Sequence, residues 1–186
     1  TATGQSQAVE GHVAITATDI VIAYLMPGVL HALRTRAPGI EVDLIAANDL
    51  RDLRRREADI ALRNVRPEDP ELIAQRPRAV PIHPHAMPAY LERNGRPQTR
   101  DDLAQHDFIS MGNPSEFLSI LNAHGVPVTR AQMRYGSESA LLGWTLMHQG
   151  LGIAPMSDDI ASLTPGVERL AVEMDPLLVP IWLTTH

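Results

Sequence analysis

Two histidines separated by one residue, His83-Pro84-His85, have the types and spacing to do chemistry. In an extended strand the side chains at i and i+2 lie on the same face, so these two imidazoles could bind one metal ion. A third ligand at a suitable spacing is missing, and the intervening proline suits the edge of a sheet. The sequence therefore predicts neither a metal site nor a bound cofactor.

The remaining histidines and acidic pairs do not form a recognisable catalytic set. The chain has no cysteine and no Gly-x-Ser-x-Gly motif whose nucleophile a histidine could activate. Asp101-Asp102 and Asp158-Asp159 each begin a predicted helix, where the helix dipole favours carboxylates without any catalytic role. Four further histidines are scattered along the sequence: His31, His106, His124 and His148. We predict that the chain is not an enzyme and has no catalytic residues.

Composition excludes two further classes of protein. The 186 residues are 44% apolar and 20% charged, as in a globular protein, and the formal net charge of -6 opposes nucleic-acid binding by this chain. The absence of cysteine fits a reducing compartment, and no apolar run is long enough to span a membrane. We therefore expect a cytoplasmic protein without a membrane partner.

Short polar side chains stand where a predicted strand hands over to a helix or loop, at Thr18, Asp49, Asn64 and Ser137. Taken singly, each is an N-cap that contributes about 1 kcal/mol to the stability of the fold. Taken together, they predict a site at which helix N-termini attract an anion.

Two arginines follow the third predicted strand, and each has a guanidinium that could bind a carboxylate with two hydrogen bonds. Arg66 precedes Pro67-Glu68-Asp69, where it could instead form a surface ion pair. We therefore favour Arg63 slightly over Arg66 as a ligand-binding residue.

The first half of the chain reads as βαβαβ. Residues 12–17 alternate as a strand, and apolar positions from Ile22 to Leu33 then recur at helical spacing. Residues 40–47 and 58–62 are the next strands, with a short helix from Asn48 through Arg56 between them. This order predicts an α/β fold with a mainly parallel sheet.

The second half repeats this pattern in miniature. It has predicted strands at 108–109, 133–135 and 150–154, with helices at 115–124 and from Ser137-Glu138 onward. The apolar run at 179–185 comes late, so we expect it to cross back and pair with the first sheet. The predicted organisation is a linker remnant at 1–10, one subdomain of 11–79 and 177–186, and a second subdomain of 80–176.

Several blocks, in this order, resemble the effector-binding domain of LysR-type bacterial transcriptional regulators: YLMPGVLHALRTRAPGIEVDLI, DLRDLRRREADIALRNVRPEDPELIAQ, MPAYLERNGRPQTRDDLAQHDFI and HQGLGIAPM. The similarity runs from about Gly11 to His186. It implies a periplasmic-binding-protein-like fold of two Rossmann-like subdomains joined by crossover strands, with a small-molecule effector in the cleft. It also implies a homodimer or tetramer, in which the first long helix of one protomer packs on the other lobe of its partner.

Carried over position by position, the resemblance implies these pocket residues: Thr18, Asp19, Ile20, Asn48, Asp49, Arg63, Asn64, Met111, Gly112, Asn113 and Ser137. This chain has Ile20 where many members have serine or threonine. It also lacks the family's N-terminal winged helix-turn-helix and its last helix, so we expect DNA to be bound only through a missing N-terminal domain.

The function expected from these observations is ligand sensing. A small and, by this prediction, anionic metabolite would bridge two lobes and change the oligomer geometry that a DNA-binding module senses, with a coupling of about 1–3 kcal/mol. The alternative is a secreted solute-binding protein, which would have the same cleft. A small-molecule enzyme is a second alternative, supported only by the scattered histidines and carboxylates.

Overall fold

A computed structural model describes residues 8–48 and 58–185 of the chain. The chain divides into two compact units: unit 1 is Thr1–Pro77 with Ile181–His186, and unit 2 is Arg78–Pro180. The sequence placed the corresponding boundaries at 79/80 and 176/177. Within the described residues, no helix is long and apolar enough to cross a membrane.

Among residues 8–48 and 58–77, the elements of unit 1 are three strands, two helices and a short additional strand. They are β1 (Glu10–Ala17), α1 (Asp19–Tyr24), α2 (Met26–Arg36), β2 (Gly39–Ala46), β3 (Ile60–Arg63) and β4 (Ile73–Ala74). The last strand of the chain, which crosses the boundary between the units, is β10 (Leu177–Thr185).

The elements of unit 2 alternate strands with short helices. They are β5 (Arg78–Ala86), α3 (Pro88–Asn94), β6 (Ile109–Met111), α4 (Pro114–Ala123), β7 (Tyr135–Ser137), α5 (Ala140–His148), β8 (Ala154–Ser157), α6 (Asp158–Ser162) and β9 (Glu168–Arg169). Two 3₁₀ helices, Asp101–Gln105 and Arg130–Gln132, connect them.

The sheet of unit 1 is built around β1, which pairs in parallel with β2 on one side and with β3 on the other. The end of β10 pairs antiparallel with β3, with Trp182 opposite Arg63, and β4 pairs with β10. This confirms the predicted return of the last apolar run to the first sheet. The buried apolar residues described in this unit are Ile15, Ala17, Ile20 and Met26.

The helix predicted after Thr18 is two helices rather than one. α1 ends at Tyr24, and the N–H of the next residue, Leu25, donates to the carbonyl of Val21 at 2.9 Å; α2 begins at Met26. Pro27 explains the break, because it has no N–H to donate to the carbonyl of Ala23 and its ring crowds the preceding turn.

Unit 2 contains the larger apolar core of the two, built around the side chains of Phe108, Leu91 and Leu103. The phenolic oxygen of Tyr90 accepts from the N–H of Asp107 at 3.0 Å and donates to Nδ1 of His106 at 3.0 Å. Burial lowers the pKa of His106, which keeps the imidazole neutral as the acceptor of this bond. These contacts fix the backbone immediately before β6.

The long strand β5 contains two prolines, Pro81 and Pro84. It pairs antiparallel with β8, and the register sets Pro84 opposite Pro155. Neither proline can donate, so this pair occupies a position without ladder hydrogen bonds between the two strands. The Pro84 carbonyl instead accepts from the N–H of Leu170 at 2.9 Å, on the other side of β5.

A buried hydrogen-bond chain ties the three parallel strands of unit 1 together. Arg63 is 5% exposed, and its Nη2 donates to the hydroxyl of Thr16 at 2.9 Å. That hydroxyl donates in turn to the carbonyl of Ile45 at 2.9 Å. Nη1 of Arg63 donates to the carbonyl of Leu62 at 3.1 Å. The chain therefore runs from β3 through β1 to β2.

Thr16→Val keeps the shape of this side chain and removes the hydroxyl at the centre of the hydrogen-bond chain. We expect the free energy of unfolding to fall by about 1–3 kcal/mol, because a buried charged donor loses its acceptor. Urea denaturation measures the loss. Thr35→Val, an exposed threonine on α2, is the matched control and should change the same quantity by less than about 0.5 kcal/mol. Equal effects of the two substitutions would contradict a stabilising role for the hydrogen-bond chain through Thr16.

Candidate functional site

Polar residues collect at the carboxyl ends of the parallel strands in each unit. In α/β sheets these ends are where ligands bind, because the loops and helix N-termini that follow the strands leave polar groups there. Unit 1 has three such ends, after β1, β2 and β3, and unit 2 has adjacent ends after β6 and β7. The sequence-predicted residues fall at these ends, apart from Asp49, which lies outside the described residues.

Unit 1 brings Thr18, Asp19 and Asn48 together. The N–H of Ala47 donates to the carbonyl of Ala17 at 2.9 Å, which extends the pairing of β1 and β2 past both strands. Asn48 Oδ1 then accepts from the N–H of Asp19 at 3.1 Å, and Asn48 Nδ2 donates to Asp19 Oδ2 at 3.0 Å. Asn48 therefore caps α1 from the neighbouring strand.

Thr18 precedes α1 in the N-cap position, as predicted, but its side chain makes no capping hydrogen bond. Its ordinary structural role is therefore filled by Asn48. Ile20 is 5% exposed, and its side chain is part of the buried core of the unit. Asp49 and the helix predicted from Asn48 through Arg56 lie outside the described residues.

The residues after β3 form a loop. Asn64 was predicted to stand where a strand hands over to a helix or loop, and it lies exposed in a bend; among the described residues no helix follows it before β4, so it does not act as an N-cap. Arg63 is buried, and two of its nitrogens donate to oxygens of unit 1, as described above. The guanidinium of Arg66 lies 5.8 Å from the ring centroid of Trp182, within cation–π range.

Unit 2 brings Met111, Gly112, Asn113 and Ser137 together. Met111 and Ser137 are directly paired at the ends of β6 and β7, and the N–H of Gly112 donates to the carbonyl of Ser137 at 2.9 Å. Gly112 has a φ of 77°, a conformation that glycine adopts without strain. Asn113 Oδ1 then accepts from the N–H groups of Ser115 at 2.9 Å and Glu116 at 3.1 Å, and so caps α4.

The prediction that Ser137 starts a helix was wrong by two residues. Ser137 is the last residue of β7, and its Oγ accepts from the N–H of Ser139 at 3.0 Å. Ser139 is the N-cap of α5, and its Oγ accepts from the N–H of Leu142 at 3.0 Å. Two serines stand near this helix start, so the residue type alone was ambiguous.

Sequence reasoning also missed Gly136. A Cβ at this position would lie 1.9 Å from the Oγ of Ser110, the residue paired with it across β6 and β7. Glycine is therefore required for the close approach of the two strands. A glycine inside a strand is itself a signal of such an approach, and the predicted strand stopped one residue before it.

The electrostatics of these helix starts are mixed. α4 and α5 each present the positive end of a helix dipole at the strand ends, while the exposed carboxylates of Glu116 and Glu138 lie close by in sequence. Their N-terminal N–H groups are partly occupied by Asn113 and Ser139. The site of unit 2 is therefore a set of neutral polar groups beside acidic ones.

The histidine pair that the sequence raised as a metal site binds protein groups. His83 Nδ1 lies 3.0 Å from Asp158 Oδ1, and His85 Nε2 lies 3.9 Å from the same oxygen. Among residues 8–48 and 58–185, no group of three or more histidine, cysteine or acidic side chains is arranged to hold a metal ion.

Comparison with known proteins shows the family. The family model described as LysR substrate binding domain matches residues 6–186. The HTH-type transcriptional regulator CrgA of Neisseria meningitidis (strain 8013) is 30% identical over 142 residues, which are 72% of this chain and 47% of that protein. This chain thus spans about half the length of the curated relatives it matches.

Solved structures agree in fold. The regulatory domain of CrgA from Neisseria meningitidis superposes with a TM-score of 0.80 at 21% identity, covering 96% of this chain and 90% of that one. The regulatory domain of CcmR from Synechocystis PCC6803, solved in complex with 2-PG, superposes with a TM-score of 0.72 at 18% identity, covering 95% and 88%. These similarities confirm the predicted mixed α/β, periplasmic-binding-protein-like fold. The chain therefore belongs to the LysR substrate-binding domain family.

Proposed function

We propose that this domain senses a small-molecule effector for a bacterial transcriptional regulator, and that a separate helix-turn-helix module of the full protein binds DNA. The observation that carries the proposal is the arrangement at β6 and β7. Two helices begin beside adjacent parallel strand ends, and side chains fix the backbone of both turns. Such polar, rigid strand ends suit recognition of a small ligand.

The proposed ligand contacts are given for each unit by itself. In unit 1 they are Thr18, Asp19, Ile20, Asn48, Asp49, Arg63 and Asn64, and in unit 2 they are Met111, Gly112, Asn113 and Ser137. Thr18 is well suited to a ligand contact, because its side chain is not used as a cap. Ile20 would contribute backbone rather than side-chain contacts, since its side chain is buried. Arg63 would act by supporting the ends of β1 and β3.

The negative charge predicted for the effector stays a prediction. Helix dipoles favour an anion, whereas Asp19, Glu116 and Glu138 oppose one. The structure of the CcmR regulatory domain in complex with 2-PG supports a small ligand for a domain of this fold. Matched ligands that differ only in charge can decide the matter.

Binding without turnover distinguishes the proposal from an enzyme but not from a secreted solute-binding protein. The curated relative described above, CrgA, is a transcriptional regulator, which favours a regulator over both alternatives. We propose on the same ground that the domain works in the cytoplasm, needs no cofactor, and corresponds to regulatory subdomains I and II in units 1 and 2.

The oligomer is proposed from the composition of α5. This helix is apolar around most of its circumference: Trp144 and Met147 are buried, while Leu142 is 49% exposed. On α2, Val29 is 51% exposed. Exposed apolar groups on two helices fit a homodimer or tetramer in which α2 of one protomer packs on α5 of another. Effector binding would then change the geometry of this contact.

A metabolite screen tests the effector site. Thermal-shift measurements on the wild type, using pairs of carboxylates and their primary amides, should identify a stabilising ligand that is recovered unchanged. Thr18→Ala and Asn64→Ala should each weaken its binding by about 2- to 10-fold in calorimetry, the loss expected for one hydrogen bond.

Thr35→Ala, on the exposed face of α2, is the control and should bind as the parent does. If Thr18→Ala and Asn64→Ala also bind as the parent does, the unit 1 part of the site is wrong. Consumption of the stabilising compound would indicate an enzyme.

Leu142→Glu tests the oligomer. A charge in place of an exposed apolar side chain should shift sedimentation toward monomer, because burying an unpaired carboxylate opposes association. Leu163→Glu is the control, because Leu163 is similarly exposed, at 55%, and lies outside both α2 and α5. Unchanged association of Leu142→Glu, or an equal loss in both variants, would contradict the proposed contact.

A further inference from the structure

Three ionisable side chains surround His83 within unit 2, and together with it they form a cluster of four. His83 Nδ1 lies 3.0 Å from Asp158 Oδ1, and His83 Nε2 lies 2.8 Å from Arg169 Nη2. Arg169 Nη1 lies 3.5 Å from Asp158 Oδ2, which closes a triangle of contacts. His85 Nε2 lies 3.9 Å from Asp158 Oδ1. The cluster joins β5, the start of α6, and β9.

The hydrogen bonds determine the protonation state of His83. A guanidinium can only donate, so Nε2 of His83 must be the acceptor of the bond from Arg169. The ring is then neutral with its proton on Nδ1, and Nδ1 donates to the carboxylate of Asp158. The side chain of His83 is 10% exposed, whereas the side chains of Asp158 and Arg169 are 40% and 56% exposed.

The second histidine is held differently. His85 Nδ1 donates to the carbonyl of His83 at 2.7 Å, and the ring meets Trp144 edge to face at 5.7 Å. Burial lowers the pKa of His85, while the nearby carboxylate of Asp158 raises it by a smaller amount. His85 therefore stays neutral below the pH at which an ordinary imidazole is protonated.

The position of Arg169 gives the cluster a consequence for the chain path. β9 is only two residues long and pairs with β5 at His85–Arg169 and Ala86–Glu168. From Leu170 the chain has no regular structure until β10, the strand that pairs with β3 of unit 1. The side-chain bonds of Arg169, together with the ion pair of Arg96 and Glu168, thus hold the start of the returning segment.

We propose that His83, Asp158 and Arg169 form a proton-sensitive latch, which adds side-chain contacts to the pairing of β9 with β5 while Nε2 of His83 is unprotonated and loses the Arg169 contact when His83 is protonated. A proton on Nε2 would set an N–H donor against the guanidinium and replace the hydrogen bond by repulsion of two cations. The imidazolium would keep its attraction to Asp158. Acid therefore displaces Arg169 and leaves β9 with its backbone pairing and the Arg96 contact.

The groups that face His83 are all part of this account. Asp158 comes from α6, Arg169 from β9 and His85 from β5 itself. His124, the residue that follows α4, and His83 line one apolar groove of this unit. The Nδ1 of His124 is hydrogen-bonded to the carbonyl of Ile120 at 2.8 Å. His124 is exposed and belongs to the same unit, which makes it a matched control.

Hydrogen exchange measured by mass spectrometry tests the latch. Peptides covering residues 168–176 are compared at about pH 7.5 and about pH 5.5, on either side of the ordinary imidazole range, after correction for intrinsic exchange rates. In the wild type, we expect protection to fall about 10-fold at the lower pH, as one charge-assisted hydrogen bond is lost. In His83→Gln this dependence on pH should disappear, and in His124→Gln it should remain.

Two results would overturn the proposal. One is equal protection of the wild type at both pH values, and the other is an undiminished dependence on pH in His83→Gln. If His83→Gln does not fold, long-range proton–nitrogen spectra of the wild-type imidazoles give an independent answer. At neutral pH they should show His83 protonated on Nδ1 only, and a proton on Nε2 would refute the latch.

Discussion

The structure depends on one constraint, which is that the first N–H groups of a helix must find acceptors even where no helical carbonyl precedes them. At α1, α4 and α5 the acceptors are short side chains next to strand ends. Asn48 reaches α1 from a neighbouring strand, while Asn113 and Ser139 cap their own helices, α4 and α5. Each bond fixes the turn between a strand and a helix, so it also fixes where polar groups stand at the carboxyl ends of the strands. The candidate site is therefore a product of helix capping.

Much of the fold was predictable because local patterns specify it. The alternation of residues 12–17 predicted β1, and the late apolar run predicted a strand that returns to the first sheet. The break in the first long helix was less visible, because apolar spacing continues across Pro27 although the backbone hydrogen bonds do not. The strand β5 was hidden by its prolines, which a sheet accepts only where no donor is needed.

The candidate site was predictable in position but not in detail. Strand ends could be found from the pattern, and the resemblance to a family supplied Met111 and Asn113. The partners of each side chain could not be found, because they lie far away in sequence: Asn48 binds Asp19, and Arg63 binds Thr16. The sequence left open whether Asn64 caps a helix or lies in a loop, because an asparagine after a strand is equally suited to a bend and to a helix start. The buried chain through Thr16 had no sequence signal, since one threonine in a strand is unremarkable.

The facing prolines of β5 and β8 have a consequence for how the second half of the chain assembles. A slip of the two strands by one residue would call on Pro84 or Pro155 to supply an amide hydrogen that it does not have. The misaligned ladder would lose a bond at its centre, whereas the native alignment loses none. Two prolines, a residue type usually disfavoured in β-sheets, thus select a single alignment, independently of any side-chain packing around them.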